Sequence, residues 1–170
     1  MKNTGIVRRI DELGRVVIPK ELRRTMHIKE GEEMEVYVAP DDTLVLKKYS
    51  ALRDYAEVAQ EYLEILTQHT RTTCFVCDTD AVVASTEKGL RQKRIGPSLQ
   101  SVLEKRRSCR LVDRETFAPV EGIEAPKEMV VSPVVVAGDV LGGVVLYGAV
   151  GEIGHKLSDV TAGFLAKQFE

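Results

Sequence analysis

The chain has 170 residues, of which 44% are hydrophobic and 29% charged, and its formal net charge is −2. This composition is typical of one or two globular domains and excludes a uniformly basic nucleic-acid coat. No stretch approaches the roughly 18 uninterrupted apolar residues of a membrane helix, and MKNTGIVRRI lacks a signal-peptide pattern, so we expect a cytoplasmic protein without a membrane partner.

The charges are segregated along the first 46 residues. Residues 2–29 hold eight basic and three acidic side chains, whereas residues 30–46 hold six acidic side chains and no basic one. A small net charge therefore hides a basic region beside an acidic one.

Short elements make up residues 1–50. TGIVRRI and RVVI each predict a strand, with Gly14 in the turn between them. Pro19 is suited to the first turn of a short helix, PKELRRTM. EMEVYV and TLVLKK predict a hairpin around Pro40-Asp41-Asp42. Because such small pieces bury little surface alone, we expect an obligate, intertwined dimer.

A long helix is predicted over residues 51–68, with Ser50 at its N-cap. Its apolar side chains recur every three or four residues; they are Leu52, Tyr55, Ala56, Ala59, Tyr62, Leu63 and Leu66. The stripe fits two structures, a seam that pairs with a second copy and a face that packs on its own domain.

The remaining residues alternate between predicted strands and helices. We expect strands at TTCFVCD, AVVAST, CRLVDR and the two halves of EMVVSPVVVAGDVLGGVVLYG, which turn at Ala137-Gly138-Asp139. SLQSVLEKRR predicts a helix, as does KLSDVTAGFLAKQF, with Leu157, Val160, Phe164 and Leu165 facing inward. The sequence thus predicts an α+β domain around an antiparallel sheet, with a long loop over residues 115–128.

Five arginines fall within residues 8–24, each beside a turn or an element terminus: Arg8, Arg9, Arg15, Arg23 and Arg24. The planar guanidinium fork suits phosphate oxygens and guanine edges. One alternative is a solvated basic face whose partners are the acids of residues 30–35. The other is a nucleic-acid surface, which dimerisation would double.

The stretch TGIVRRIDELGRVVIPKELRRTMHIKEGEEMEVYV resembles the DNA-binding module of the AbrB family of bacterial transition-state regulators, over essentially all of residues 1–50. The resemblance implies a swapped-hairpin dimer that binds double-stranded DNA through Arg8, Arg15, Arg23 and Arg24. Arg9 matches a basic position of the family, although strand alternation puts it on the face opposite Arg8.

Domain order extends the resemblance to a sporulation regulator whose second half is a GAF domain. It implies two domains, an AbrB-like one at residues 1–50 and a GAF-like one at 51–170, joined by a connecting or dimerisation helix over residues 51–68. We therefore expect a nucleoid-associated transcriptional regulator of sporulation genes, without enzymatic activity, as a homodimer or homotetramer. GAF domains often bind small molecules, but the sequence identifies no ligand, and Phe75, Arg91 and Phe117 are guesses for a pocket.

Cysteine and histidine give little sign of other chemistry. Cys74 and Cys77 form a C-x-x-C inside a predicted strand, where residues three apart point to opposite faces, so we expect two buried thiols and no metal. Three cysteines are an odd number, which favours reduced thiols. His27, His69 and His155 match no ligand motif, and the glycines of residues 138–154 predict turns and sheet packing.

Two other functions fit parts of the sequence. An antitoxin would share the swapped-hairpin module but carry a disordered toxin-binding tail. A thiol oxidoreductase would use Cys74 and Cys77. Residues 71–170 are patterned for a folded domain, which favours the regulator.

Overall fold

The protein is described by a computed structural model that covers residues 4–26, 28–113, 117–123, 126–148 and 150–170. It divides into two compact units, Met1–Tyr49 and Ser50–Glu170. In the described residues, no helix is long and apolar enough to cross a membrane. His27 and parts of the predicted loop over residues 115–128 lie outside the described residues.

The first unit contains one short helix and one hairpin, both as predicted. Helix α1 spans Lys20–Thr25 and begins directly after Pro19. Strands β1 (Met34–Val38) and β2 (Leu44–Lys48) pair antiparallel, with Val36 opposite Leu46. The turn between them is closed by the amide of Ala39, which donates to the carbonyl of Thr43 at 2.9 Å.

The two strands predicted before α1 do not form within the single chain. A turn at residues 11–15 is present, with Gly14 at a φ of 76°, where glycine is favoured. Residues on either side of this turn adopt no strand. The strand predictions are therefore wrong for one chain, because residues 6–10 and 16–18 form no strand ladder there and a strand requires one.

The first unit has no apolar core of its own. Pro19 is the one described residue of this unit that is buried. Thirteen large hydrophobic side chains are at least 38% exposed: Ile6, Val7, Ile10, Leu13, Val16, Val17, Met26, Val36, Tyr37, Val38, Leu44, Leu46 and Tyr49. Hydrophobic burial within one chain therefore cannot stabilise this unit.

The second unit is a five-stranded antiparallel sheet with helices on both faces. Its strands are β3 (Thr73–Asp78), β4 (Val82–Ser85), β5 (Cys109–Val112), β6 (Glu128–Val136) and β7 (Asp139–Tyr147), in the order β4-β3-β7-β6-β5. The helices are α2 (Ala51–Asp54), α3 (Ala56–Thr70), α4 (Pro97–Leu103) and α5 (Gly151–Ala166), followed by a 3-10 turn at Lys167–Phe169. The predicted α+β class with an antiparallel sheet is confirmed.

Glycines in this unit serve turns and close packing, as expected. Ala137 and Gly138, at φ values of 49° and 91°, form the two-residue turn that joins β6 to β7. A Cβ on Gly142 would lie 2.0 Å from the carbonyl oxygen of Cys77 on the neighbouring strand. Any larger residue at position 142 would push β3 and β7 apart.

The predicted helix over residues 51–68 is two helices that break at Tyr55. Ser50 occupies the N-cap position of α2, but its hydroxyl makes no capping hydrogen bond. The apolar stripe packs on its own unit, since five of its residues belong to one buried cluster with β3, β4, β6, β7 and α5: Leu52, Ala56, Ala59, Leu63 and Leu66. The apolar stripe is therefore a face that packs on its own domain, which is one of the two alternatives that the sequence left open.

Helix α5 begins five residues earlier than predicted, and it presents a different face to the sheet. Leu165 is 1% exposed, but Val160 and Phe164 are 59% and 37% exposed, so their inward assignment was wrong. The sheet instead meets small residues, among them Gly154, Ser158 and Ala162. Small side chains let the helix approach closely, and Phe164 stacks on Tyr62 of α3 with ring centroids 5.2 Å apart.

Asp78, at the end of β3, ties α2 to the sheet. Its side chain is 4% exposed, and Oδ2 accepts from Nε and Nη2 of Arg53, both at 2.9 Å. Its Oδ1 accepts from the amides of Asp80 and Ala81 at 2.8 and 2.7 Å. Both oxygens of this buried carboxylate therefore accept hydrogen bonds, and Arg53 balances its charge.

The self-packed stripe predicts that Leu63→Ala lowers the free energy of unfolding of the second unit by about 2–5 kcal/mol, because it leaves a cavity where Leu63 is fully buried. Glu61→Ala, on the exposed side of the same helix, should change it by less than about 0.5 kcal/mol. Urea denaturation followed by circular dichroism measures both. Equal losses would show that the stripe is not the packed face.

Candidate nucleic-acid interface

Asp11 organises the turn that precedes Arg15. Its Oδ1 accepts from the amides of Leu13 and Arg15 at 3.0 and 2.8 Å, and its Oδ2 accepts from Nε of Arg15 at 2.8 Å. The backbone closes the same turn, because the amide of Asp11 donates to the carbonyl of Arg15 at 3.0 Å. Asp11 therefore sets the position of Arg15, a role that the sequence analysis did not assign.

The same contacts perturb the titration of Asp11. Its pKa is lowered, first by the amide of Arg15 and then by the Arg15 guanidinium and the amide of Leu13. The Arg15 and Asp11 side chains are 71% and 40% exposed, so the ion pair is screened by solvent and contributes little to stability. Arg15 can exchange this partner for a phosphate at low cost.

Helix α1 carries two further arginines in its last turn. Arg23 and Arg24 lie at the C-terminal end, where a positive charge interacts favourably with the helix dipole. The amide of Ile28 donates to the carbonyl of Arg23 at 2.8 Å, a six-to-one bond that caps the C-terminal end of the helix. Arg24 is exposed, whereas Arg23 is half-buried, and its Nε is a buried donor without a hydrogen-bond partner among the described residues.

Arg8 and Arg9 lie on the exposed segment before the turn. Nη1 of Arg8 donates to the carbonyl of Val7 at 3.0 Å. Because no strand forms here, the predicted placement of Arg9 on the face opposite Arg8 stays a prediction. Both guanidinium groups are exposed.

The acids of residues 30–35 do not neutralise these arginines. Glu32 pairs with Lys48 at 3.1 Å and accepts from the amide of Lys29 at 2.7 Å, while Glu35 accepts from the hydroxyl of Tyr37. Among the described residues, Arg15 is the one arginine of the five that makes an ion pair, and its partner is Asp11. The first unit therefore presents guanidinium groups whose charge its own acids leave available.

The second unit separates its two neighbouring cysteines. Cys74 and Cys77 are fully buried in different apolar clusters, on opposite faces of the sheet as predicted. Burial raises the pKa of both thiols. In the described part of the chain, no group of histidine, cysteine and carboxylate side chains could hold a metal.

The residues guessed for a pocket do not form one site. Phe75 and Phe117 belong to the cluster beneath α4, where Phe75 is fully buried, whereas Arg91 is exposed. His69 is exposed as well, but His155 contacts a polar cluster on the other face of the sheet. The spacing of His155 and Asp159, four residues apart, is the sequence signal that could have found part of that cluster.

Two family models match the chain. The C-terminal family of stage V sporulation protein T, described as a transcription factor, matches residues 54–170. The family described as antidote-toxin recognition MazE, bacterial antitoxin, matches residues 7–54. Stage V sporulation protein T of Bacillus subtilis (strain 168) is 41% identical, over 100% of this chain and 99% of that protein.

The chain belongs to the stage V sporulation protein T family.

The two halves also have separate relatives. The transition state regulatory protein AbrB of Bacillus subtilis (strain 168) is 63% identical over 49 residues, which are 29% of this chain and 50% of that protein. The crystal structure of the cyanobacteriochrome receptor PixJ shares the fold over 69% of this chain and 96% of that one, with a TM-score of 0.51 and 17% identity. The GAF domain of PixJ from Thermosynechococcus elongatus covers 69% of this chain and 88% of its own, with a TM-score of 0.49 and 16% identity.

The lowered pKa predicts that the Asp11 carboxyl titrates below the roughly 3.9 of a free aspartate. A depressed pKa stabilises the turn above the unfolded value, and that contribution is lost as pH falls through the folded one. Carboxyl-carbon NMR across pH 2–6 measures the midpoint, and Arg15→Gln should raise it. A midpoint unchanged in the variant would show that the Arg15 side chain does not hold this carboxylate.

Proposed function

We propose that this protein is a DNA-binding transcriptional regulator of sporulation genes. In this proposal, residues 1–50 form the DNA-binding domain and residues 51–170 a regulatory domain whose first helices, residues 51–68, connect the two. The family is described as a transcription factor, and the first 50 residues resemble AbrB. The observation that carries the proposal is the set of five arginines, four of them exposed, of which Arg15 alone has an acidic partner among the described residues.

The DNA contacts are assigned to Arg8, Arg9, Arg15, Arg23 and Arg24. Guanidinium forks beside turns and at a helix end have fixed spacing, so they suit phosphates at defined positions and base edges in the grooves. The first unit has few helices or strands large enough to fill a groove of duplex DNA. We therefore assign part of its sequence specificity to DNA shape and deformability. A DNA partner places the protein with the chromosome, in the cytoplasm.

The DNA-binding form is a homodimer. In the first unit, thirteen large hydrophobic side chains are exposed, and the two arms on either side of the turn at residues 11–15 form no strand. A second copy supplies both missing components, backbone partners for the arms and apolar surface for the side chains. The buried Nε of Arg23 also gains access to acceptors from that copy.

The second unit offers another surface for assembly. On α5, Ile153 and Val160 are 75% and 59% exposed and lie seven residues apart, with Phe164 four residues further. Val58 and Ile65 repeat that spacing on α3, at 45% and 56% exposure. Two apolar helix faces of this kind support association of second units, which would make a tetramer from two dimers.

The two competing functions fit the structure less well. A MazE-like module at residues 7–54 is shared with antitoxins, but the chain continues into a compact unit with a five-stranded sheet instead of an extended tail. A thiol oxidoreductase needs an accessible thiolate and a nearby second sulfur. Both thiols here are buried, on opposite faces of β3.

Loss of one phosphate contact per chain should weaken DNA binding and its salt dependence. For Arg24→Ala, we expect the slope of log K against log salt to fall by about 0.9 per contact, so by about 1.8 in a dimer. Fluorescence anisotropy with duplex DNA across salt concentrations measures the slope. Arg107→Ala removes the same charge from an exposed position in the second unit and should leave the slope unchanged. An unchanged slope for Arg24→Ala in a folded dimer would contradict the assignment.

The dimer predicts hydrogen exchange that depends on concentration. Amides of residues 6–10 and 16–18 lack strand partners within one chain, so they should exchange slowly only where dimers form. Hydrogen–deuterium exchange at micromolar concentration should show protection that is lost on dilution. Amides of β7, such as those of Val144 and Val145, should stay protected at both concentrations. Rapid exchange of both arms at every concentration would rule out pairing between chains.

A further inference from the structure

A polar cavity lies on the α5 face of the sheet, away from α4 and the cluster that contains Phe75. Its volume is about 170 Å³, and it is lined by α5, by β6 and by the segment that leads from α4 to β5. Ligand sites for drug-sized molecules measure roughly 300–1,000 Å³, so this cavity suits a smaller molecule.

Four polar side chains form a hydrogen-bonded chain, and three of them, Ser108, Ser132 and Asp159, line the cavity. Nε2 of His155 lies 2.7 Å from Oγ of Ser108, which lies 3.0 Å from Oγ of Ser132. The hydroxyl of Ser132 donates to Oδ1 of Asp159 at 2.7 Å. His155 and Asp159 lie four residues apart on α5, whereas Ser108 and Ser132 come from other parts of the sequence.

The hydrogen bonds among these four side chains all run in one direction, from His155 to Asp159. Ser132 has a single hydroxyl proton, which it donates to Asp159, so Ser108 donates to Ser132 and Nε2–H of His155 donates to Ser108. Ser132 is 1% exposed, so its orientation is shielded from water. Asp159 ends the chain as a carboxylate held in place by its Oδ1, while its Oδ2 lies 3.8 Å from Nε2 of His155.

The arrangement is not a hydrolase triad. In such a triad, the carboxylate accepts from one ring nitrogen of the histidine while the serine contacts the other. Here the same nitrogen, Nε2, faces both Ser108 and Asp159. These side chains can therefore bind and orient a molecule, but they do not include an activated nucleophile.

Two oppositely charged side chains line the cavity without forming an ion pair with each other. Arg106 and Asp159 both line it, yet Arg106 makes no ion pair with any described residue. The remaining surface is small and apolar, and it comes from Pro133 and Val135 of β6 and from Ala162, Gly163 and Ala166 of α5. The site thus combines a guanidinium, a carboxylate and an apolar floor.

We propose that this cavity binds a small zwitterion of the α-amino-acid type. The carboxylate of the ligand lies on Arg106, since a guanidinium binds carboxylates through a planar fork. Its ammonium lies on Oδ2 of Asp159, which the hydroxyl chain holds in position. Its side chain lies on the floor formed by Val135, Ala162 and Ala166. A molecule with only one of the two charges leaves the other charge of the site unpaired.

L-norvaline, norvalinamide and pentanoate test the proposal, because the second lacks the carboxylate and the third lacks the ammonium. The full chain is labelled at alanine methyl groups and titrated with each compound by NMR. L-norvaline should shift the methyls of Ala162 and Ala166 saturably, while that of Ala84, which lies in the core outside the cavity, stays in place. The other two compounds should bind up to about fivefold more weakly, because Arg106 and Asp159 are exposed and solvent screens each ion pair.

Two variants test which charged side chain of the site binds which charged group of the ligand. Arg106→Gln should lose the preference for L-norvaline over norvalinamide, and Asp159→Asn should lose the preference over pentanoate. Arg107→Gln and Glu152→Gln remove the same charges at exposed positions outside the lining and should keep both preferences.

Absence of saturable shifts up to about 10 mM L-norvaline, or equal binding of the three compounds, would overturn the proposal. Equal losses in the control variants would do the same. If a variant does not fold, as judged by its thermal midpoint, the selectivity of the unaltered protein among the three compounds decides the matter. DNA binding is not measured, so this result is independent of the proposed regulator function.

Discussion

The burial of apolar surface in the first 49 residues is the constraint on which the rest of the protein depends. One chain buries Pro19 there and leaves thirteen large hydrophobic side chains exposed. Backbone groups on both sides of the turn at residues 11–15 lack strand partners as well. On the proposed function, a second chain supplies partners for both the backbone and the side chains, and it also doubles the arginine surface. In that dimer, folding and DNA recognition are coupled in this part of the protein.

Most acidic side chains of the first unit stabilise the unit itself. Acidic side chains of the first unit contact Lys48, Tyr37 and backbone amides, so they stabilise the hairpin and the segment before it. Asp11 is the exception, because it holds both the turn and the guanidinium of Arg15. On the proposed function, this carboxylate weakens the nonspecific attraction of Arg15 to DNA, yet it fixes the position from which Arg15 contacts phosphate. The small net charge of the chain is compatible with a strongly basic local surface for this reason.

Local signals in the sequence were sufficient for the elements that depend on local chemistry. Pro19 marked the start of α1, Pro40-Asp41-Asp42 marked the hairpin, and the alternation around Cys74 and Cys77 gave their opposite faces. Elements that depend on partners elsewhere were less predictable. The strand pattern of residues 5–18 is genuine as a pattern, but no strand forms in one chain. On α5, apolar periodicity pointed to Val160 and Phe164, whereas close packing selected the small residues Gly154 and Ser158. The spacing of His155 and Asp159, four residues apart on a helix, could have revealed that pair. Ser108 and Ser132 join it only in three dimensions, so no spacing rule could reveal them.

Asp78 gives α2 and the turn after β3 one shared anchor. Its carboxylate accepts from Arg53 of α2 and from the amides of Asp80 and Ala81. The helical hydrogen bonding is interrupted at Tyr55, so this ion pair and the burial of Leu52 hold α2 in place beside α3. Loss of the Asp78 carboxylate would therefore loosen the start of the second unit and the turn between β3 and β4 together.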